Sequence, residues 1–307
     1  MRLKRLIKKF LKWCSATRKP RTTEYYRCLL YSFLAHVGNV RIGKLVPVDL
    51  ESFGKTFHQV QAVQRLFQFA VDGLRILKVN PFKKVKRPPA GQRTRIFDRK
   101  ELVQYLRRCG RAYRDFLIVM RGTMARPQEV KILSWPMLQA PIDWHGTIED
   151  ALYAGKAMFV LWEYKSRERA ANPNKPRIIM MTRRVGRLLL RLRSRADSLA
   201  GIILLNDLDM PWTANALRCR MRRLRRKFPA LPHVTGENIV NYTMRHTAAT
   251  YASPKVTQKE LSLLLGHESM ETTERYQHLR IDHLHDAMEK IEDVQVRREQ
   301  RKKRKAA

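Results

Sequence analysis

Apolar residues recur at helical spacing along most of the chain. Leu3, Leu6, Ile7, Phe10 and Leu11 form a stripe between lysines and arginines. Tyr25, Leu29, Leu30, Phe33 and Leu34 repeat the spacing after Thr22-Thr23 and run to Gly38-Asn39, a stop signal. Val63, Leu66, Phe67, Ala70 and Val71 do so again up to Gly73, and Val48-Asp49-Leu50 marks a further helix start. Positions three and four apart share one face of a helix, so this region predicts helices, and it shows no strand alternation. The basic amphipathic stripe at the start fits a presequence or an interfacial helix in composition; we read it as the first packed helix of a domain.

The pattern changes at Asn80-Pro81. Residues 82–91 (Phe82-Lys83-Lys84-Val85-Lys86-Arg87-Pro88-Pro89-Ala90-Gly91) are basic and proline-rich, the chemistry of a linker. The expected division is a helical domain over 1–82, a linker over 83–95, a second domain over 96–290 and a basic tail over 291–307 that ends in Arg301-Lys302-Lys303-Arg304-Lys305. In the second domain Asp98 with Glu101 has the spacing of a capping box, followed by Leu102, Tyr105 and Leu106 and then by Phe116, Leu117, Val119 and Met120. Met158–Trp162 and Arg177–Met181 read as two strands of a hairpin whose loop holds Lys165. Helices resume at Leu188–Leu192 and at Ala214–Phe228, the latter dense in arginine from Arg218 on. The fold class expected is mainly α with a small antiparallel β-sheet: a helical first domain and a mixed α/β second domain. Pro136 to Lys156 receives no assignment.

Charge narrows the function. The chain of 307 residues has 63 Lys and Arg against 27 Asp and Glu, a formal net charge of +36, and is 44% hydrophobic. Such self-repulsion calls for a polyanion, either nucleic acid or an anionic membrane surface. The basic residues occur in both halves, which suits a protein that encloses a duplex. The four cysteines, Cys14, Cys28, Cys109 and Cys219, stand far apart without a CxxC pair, so neither a zinc knuckle nor a disulfide framework is supported, and a reducing compartment fits. No apolar run approaches the length of a membrane span.

The chemistry concentrates near the C-terminus. Tyr242-Thr243-Met244-Arg245-His246-Thr247 is followed by Leu264-Leu265-Gly266-His267 and by Thr272-Thr273-Glu274-Arg275-Tyr276-Gln277-His278. An arginine, a histidine and a tyrosine in such an array can bind a phosphodiester and attack it through the phenol oxygen. These segments resemble the tyrosine recombinase (phage integrase) family, in which a tyrosine follows the Leu-Gly-His histidine by nine residues, as Tyr276 follows His267. Thr123-Met124-Ala125-Arg126-Pro127-Gln128-Glu129-Val130, with Leu133 and Trp135, resembles that family's first arginine motif, and Lys165 falls in the hairpin loop where the family keeps a lysine.

The resemblance implies that 1–82 is a core-DNA-binding (SAM-like) domain and 96–290 the catalytic domain. It assigns Arg126 and Arg245 to the non-bridging oxygens of the scissile phosphate, Tyr276 to nucleophilic attack, Lys165 to protonation of the leaving 5′-oxygen and His267 to a hydrogen bond to the phosphate. Tyr242 stands where the family usually has histidine, and Met124 where glycine is common. Glu129 supports the Arg126 region. No cofactor and no metal is implied. The expected partners are double-stranded DNA, three further copies in a homotetramer on paired DNA sites, and accessory DNA-bending proteins, with no membrane; the expected place of action is the cytoplasm, at the nucleoid. Apolar Leu279, Ile281, Leu284, Met288 and Ile291 would dock on a neighbouring copy. A type IB topoisomerase-like enzyme and a catalytically silent DNA-binding relative are the alternatives. His278, Asp282, His283, His285 and Asp286 include metal-ligand types, but 283 and 285 leave the face shared by 278, 282 and 286, which favours a solvated helix.

Overall fold

The computed structural model describes residues 1–91, 95–164, 175–227, 239–267 and 272. The chain forms two compact units, Met1–Gln92 and Arg93–Ala307.

In the first unit α1 (Leu3–Thr17), α2 (Pro20–Val37), α3 (Pro47–Phe53) and α4 (Phe57–Asp72) surround one apolar core. The stripe read from the sequence is the buried face of α1: Leu3, Leu6 and Ile7 have no exposed surface, and the helix packs on α2 and α4. Here the stripe serves as core. Beyond α4 the chain folds back along it. Asn80 Nδ2 donates to Gln64 O at 3.0 Å, and Gln64 Nε2 donates to Phe82 O and Val85 O at 2.8 and 2.9 Å. A buried amide with its donors and acceptor engaged fixes a register where apolar contact alone would allow sliding. Phe82 and Val85 are thereby buried, and Arg87 donates to Gln64 Oε1 at 2.6 Å. The first residues of the basic stretch are therefore fastened to the helical core as far as Arg87.

The second unit is mixed. After α5 (Arg99–Arg107), α6 (Arg111–Thr123) and the single turn α7 (Pro127–Val130) come β1 (Leu138–Gln139), α8 (Ile148–Ala154), β2 (Met158–Leu161) and β3 (Arg177–Met180). Next are α9 (Arg183–Arg193), α10 (Ala214–Lys227), α11 (Asn241–Ala252) and α12 (Gln258–Leu265). The strands form an antiparallel sheet in the order β1-β2-β3, with Leu138 opposite Phe159 and Phe159 opposite Ile179. The fold is thus mainly helical with a small antiparallel sheet. The capping box at Asp98 is present: Asp98 Oδ1 accepts from Glu101 N at 2.7 Å.

The unassigned segment 136–156 supplies β1 and α8. Thr147 caps α8, its Oγ1 accepting from Asp150 N at 3.1 Å. α8 then lies directly on α9, because Gly186 presents no side chain: a Cβ there would stand 1.8 Å from Leu152 O. α6 runs between α9 and α11. Tyr105 Oη meets Met221 Sδ at 2.6 Å and Tyr113 Oη donates to Asn241 Oδ1, so two buried phenols join α5 and α6 to α10 and to the start of α11. Thr247, in the middle of α11, accepts from Phe97 N at 2.9 Å and ties the unit's first residues to the helix that carries Arg245.

Candidate active site

Arg126, Arg245 and His267 come from separate turns of the second unit and converge. Arg126 is the residue before α7, where Glu129 holds it twice: Oε2 accepts from the Arg126 backbone N–H and Oε1 from Nη1, both at 2.7 Å. Glu129 is 4% exposed and Arg126 18%, so this pair lies at the boundary between core and solvent. α6 ends just before, at Met124, whose φ of 53° is left-handed. Such a backbone favours glycine and costs a β-carbon residue roughly 1–2 kcal/mol. That is the physical reason glycine suits the position, and Met124 adopts the conformation without it.

Arg245 sits in the second turn of α11 with no exposed surface. Its Nη1 donates to Met124 O at 2.6 Å, and its Nη2 to Leu265 O at 2.7 Å while lying 3.2 Å from His267 Nε2. Its Nε has no hydrogen-bond partner among the described residues. Tyr242, one turn earlier, places its ring 5.8 Å from the Arg245 guanidinium and edge-to-face on His246, centroids 4.8 Å apart.

His267 owes its position to the end of α12. Thr257 starts that helix by accepting from Glu260 N at 3.2 Å, and Gly266, with φ of 61°, ends it. Gly266 N donates to Leu263 O and His267 N to Ser262 O, both at 3.0 Å. This pair of reversed bonds is a Schellman ending. Guanidinium groups take the other carbonyls and share one already bonded: Arg177 reaches Leu264 at 2.7 Å and, beside Gly266 N, Leu263 at 2.9 Å, Arg245 reaches Leu265, and Arg126 reaches Gly266 at 3.1 Å. Cations at this end of a helix complement its dipole.

Arg177, at the start of β3, was not singled out in the sequence. The sequence gives no signal for it, because Arg177-Ile178-Ile179-Met180 shows no apolar–polar alternation; in the structure Arg177 and Ile179 face the core while Ile178 and Met180 are exposed. Burial lowers its pKa to about 10, Glu129 opposing and Arg245 and Arg126 adding to the shift, so it stays cationic at neutral pH. Three guanidinium groups against the Glu129 carboxylate leave an excess of positive charge, which suits an anion.

Lys165 and Tyr276 lie outside the described residues, as do the hairpin loop over 165–174, the segment 278–286 with its metal-ligand residue types, the apolar positions from Leu279 to Ile291 and the basic tail. Among the described residues no group of three or more His, Cys, Asp or Glu is arranged to hold a metal, and no helix is long and apolar enough to cross a membrane. α10 buries Leu217, Met221 and Leu224 and exposes Arg218, Arg222, Arg223 and Arg226.

A helical unit followed by a mixed unit with a small antiparallel sheet is a fold that this chain shares with solved structures of DNA integrases and recombinases. The Tn1549 transposon integrase in complex with a circular intermediate DNA matches with a TM-score of 0.70 at 17% identity, over 95% of this chain and 99% of that one. A lambda integrase dimer bound to a COC′ core site matches with a TM-score of 0.70 at 12% identity, over 91% and 96%. The XerH site-specific recombinase bound to its difH substrate gives 0.59 at 16% identity, over 92% and 82%. These likenesses establish the fold. The sequence matches no family model and no curated protein.

Proposed function

We propose that this chain is a site-specific DNA recombinase that cuts and rejoins duplex DNA through a 3′-phosphotyrosyl intermediate. The observation that carries the reading is the convergence of Arg126, Arg245 and His267, with Arg245 Nη2 3.2 Å from His267 Nε2. Two guanidinium groups beside an imidazole form a donor set for the non-bridging oxygens of one phosphodiester, and their charge offsets what builds up at phosphorus. In this scheme the Tyr276 phenol loses its proton to solvent as its oxygen attacks phosphorus, the Tyr276 O–P bond forms and the bond to the 5′-oxygen breaks. Lys165 gives a proton to the leaving 5′-oxygen. The phosphotyrosyl bond conserves the energy of the phosphodiester, so a 5′-hydroxyl, from the same or a second duplex, reverses the step without ATP. Tyr242 occupies the side of Arg245 where the family's histidine stands and orients the guanidinium through its ring.

The partner is double-stranded DNA, as in the solved complexes of similar fold, and the net charge of +36 suits it. Strand exchange takes place between two sites held by four copies, with DNA-bending proteins assisting, at the nucleoid. The test incubates wild type and Tyr276→Phe with DNA flanking the protein's own coding region and denatures the mixture in detergent. Protein covalently attached to DNA is expected from wild type alone, and the nick maps the site. Tight binding by both proteins with no adduct from either would replace this reading with that of a silent DNA-binding relative.

A further inference from the structure

Three guanidinium groups gather at the end of α12. Its own Schellman bonds already satisfy Ser262 and Leu263, and Arg126 and Arg245 reach Gly266 and Leu265. The buried guanidinium of Arg177 comes from β3, far away in sequence, and forks onto Leu263 O and Leu264 O. Its Nε finds no hydrogen-bond partner among the described residues. Taking a cation out of water with one donor unused is unfavourable, so capping alone is a weak reason to place it there.

Its location offers a stronger one. The guanidinium lies flat against Gly266, where a Cβ would stand 2.5 Å from Arg177 Cζ and Nε. It therefore decides where the backbone passes just before His267. It also lies in the field of Glu129, the carboxylate that holds Arg126. Arg177 thus bears on both the α12 ending and the Arg126–Glu129 pair, while both of its terminal nitrogens are taken up by the Leu263 and Leu264 carbonyls.

We propose that Arg177 is a positioning residue of the phosphate site: by forking onto Leu263 and Leu264 against Gly266, it sets the backbone that brings His267 to Arg245 and Arg126. The inference rests on the recombinase reading for its consequence and on the structure alone for its geometry.

The test uses the full chain as wild type, Arg177→Met and Arg177→Lys. The rate of covalent adduct formation is measured on the duplex at which wild type forms its adduct, alongside duplex binding and melting temperature. In parallel, protein labelled with ¹⁵N-histidine reports the His267 ring, assigned by its loss in His267→Gln. A misplaced His267 predicts an adduct rate lowered about 100-fold in Arg177→Met, with duplex binding retained and with His267 signals moved while those of His36 and His58 in the first unit stay put. Arg177→Lys, which keeps the charge but loses the planar fork, should fall between the two and decides the matter if Arg177→Met does not fold. Wild-type rates in either folded variant, or an unmoved His267 signal, overturn the proposal. So does a parallel fall in binding, melting temperature and rate, which would mark a purely structural role. If wild type itself forms no adduct, the recombinase reading fails, and the His267 signal still decides whether Arg177 positions it.

Discussion

Arg245 and Tyr242 show how one side chain depends on another at this site. A guanidinium without exposed surface is tolerable because its charge meets two carbonyl oxygens, Met124 O and the buried Leu265 O. The bond to Met124 also holds a residue whose left-handed φ of 53° the isolated chain would avoid. Tyr242 acts on Arg245 through its ring, 5.8 Å away, and is itself packed edge-to-face on His246. Removing only its hydroxyl should therefore matter little. A neutral hydrogen bond is worth about 1 kcal/mol, which is less than tenfold in a rate. Tyr242→Phe is expected to form the DNA adduct within about tenfold of wild type on that basis, whereas Tyr242→Ala, which loses the ring, should fall further. Single-turnover adduct rates for the two variants decide it; equal losses would mean that the hydroxyl is the working group.

At the scale of elements, the ending of α12 is the joint on which the site turns. Gly266 needs both of glycine's properties, a φ of 61° and a missing Cβ where the Arg177 guanidinium passes. Gly266→Ala should destabilise the second unit by at least about 1 kcal/mol from the backbone term alone, and it should lower adduct formation as His267 moves. Urea unfolding of the second unit checks the first effect, and wild-type stability would show that the backbone there has room to shift. The elements that position this joint were unevenly legible in the sequence. The stripe of α1, the capping box of α5 and the apolar runs of β2 and β3 flanking a hairpin loop each extend over enough residues, or use specific enough chemistry, to be read locally. β1 is two residues long and α8 seven, too short for a period to emerge. The meeting of Arg126, Arg245 and His267 at the α12 ending was legible through motif spacing, whereas Arg177 was hidden because a cation opening a strand usually faces water, and only the tertiary fold turns it inward. Lys165 and Tyr276 lie outside the described residues.

For the whole molecule, two separate cores predict two separable unfolding events, and the cysteines are placed to report them. Cys14 has no exposed surface in the first core and Cys109 is 3% exposed in the second, while Cys28 is exposed and Cys219 half-buried. Burial raises the pKa of both core thiols, that of Cys109 to about 12 against the opposing charge of Arg114, and that of Cys14 against Arg18 and Arg65. Near neutral pH both are therefore protonated and inaccessible, and a thiolate-specific reagent should label them only when their unit opens. With Cys28 and Cys219 blocked first, labelling across a urea series is expected to show Cys14 and Cys109 exposed at different midpoints. A single shared midpoint would mean that the two cores unfold together. Duplex DNA sharpens the measurement, because a ligand that binds only folded protein raises the midpoint of whatever it binds. Lysines and arginines occur throughout both units of a chain with net charge +36. DNA should therefore protect Cys14 as well as Cys109, and added salt should remove both protections together as counterions compete for the phosphates. Protection of Cys109 alone would confine DNA binding to the second unit and leave the charge of the first without the partner proposed for it.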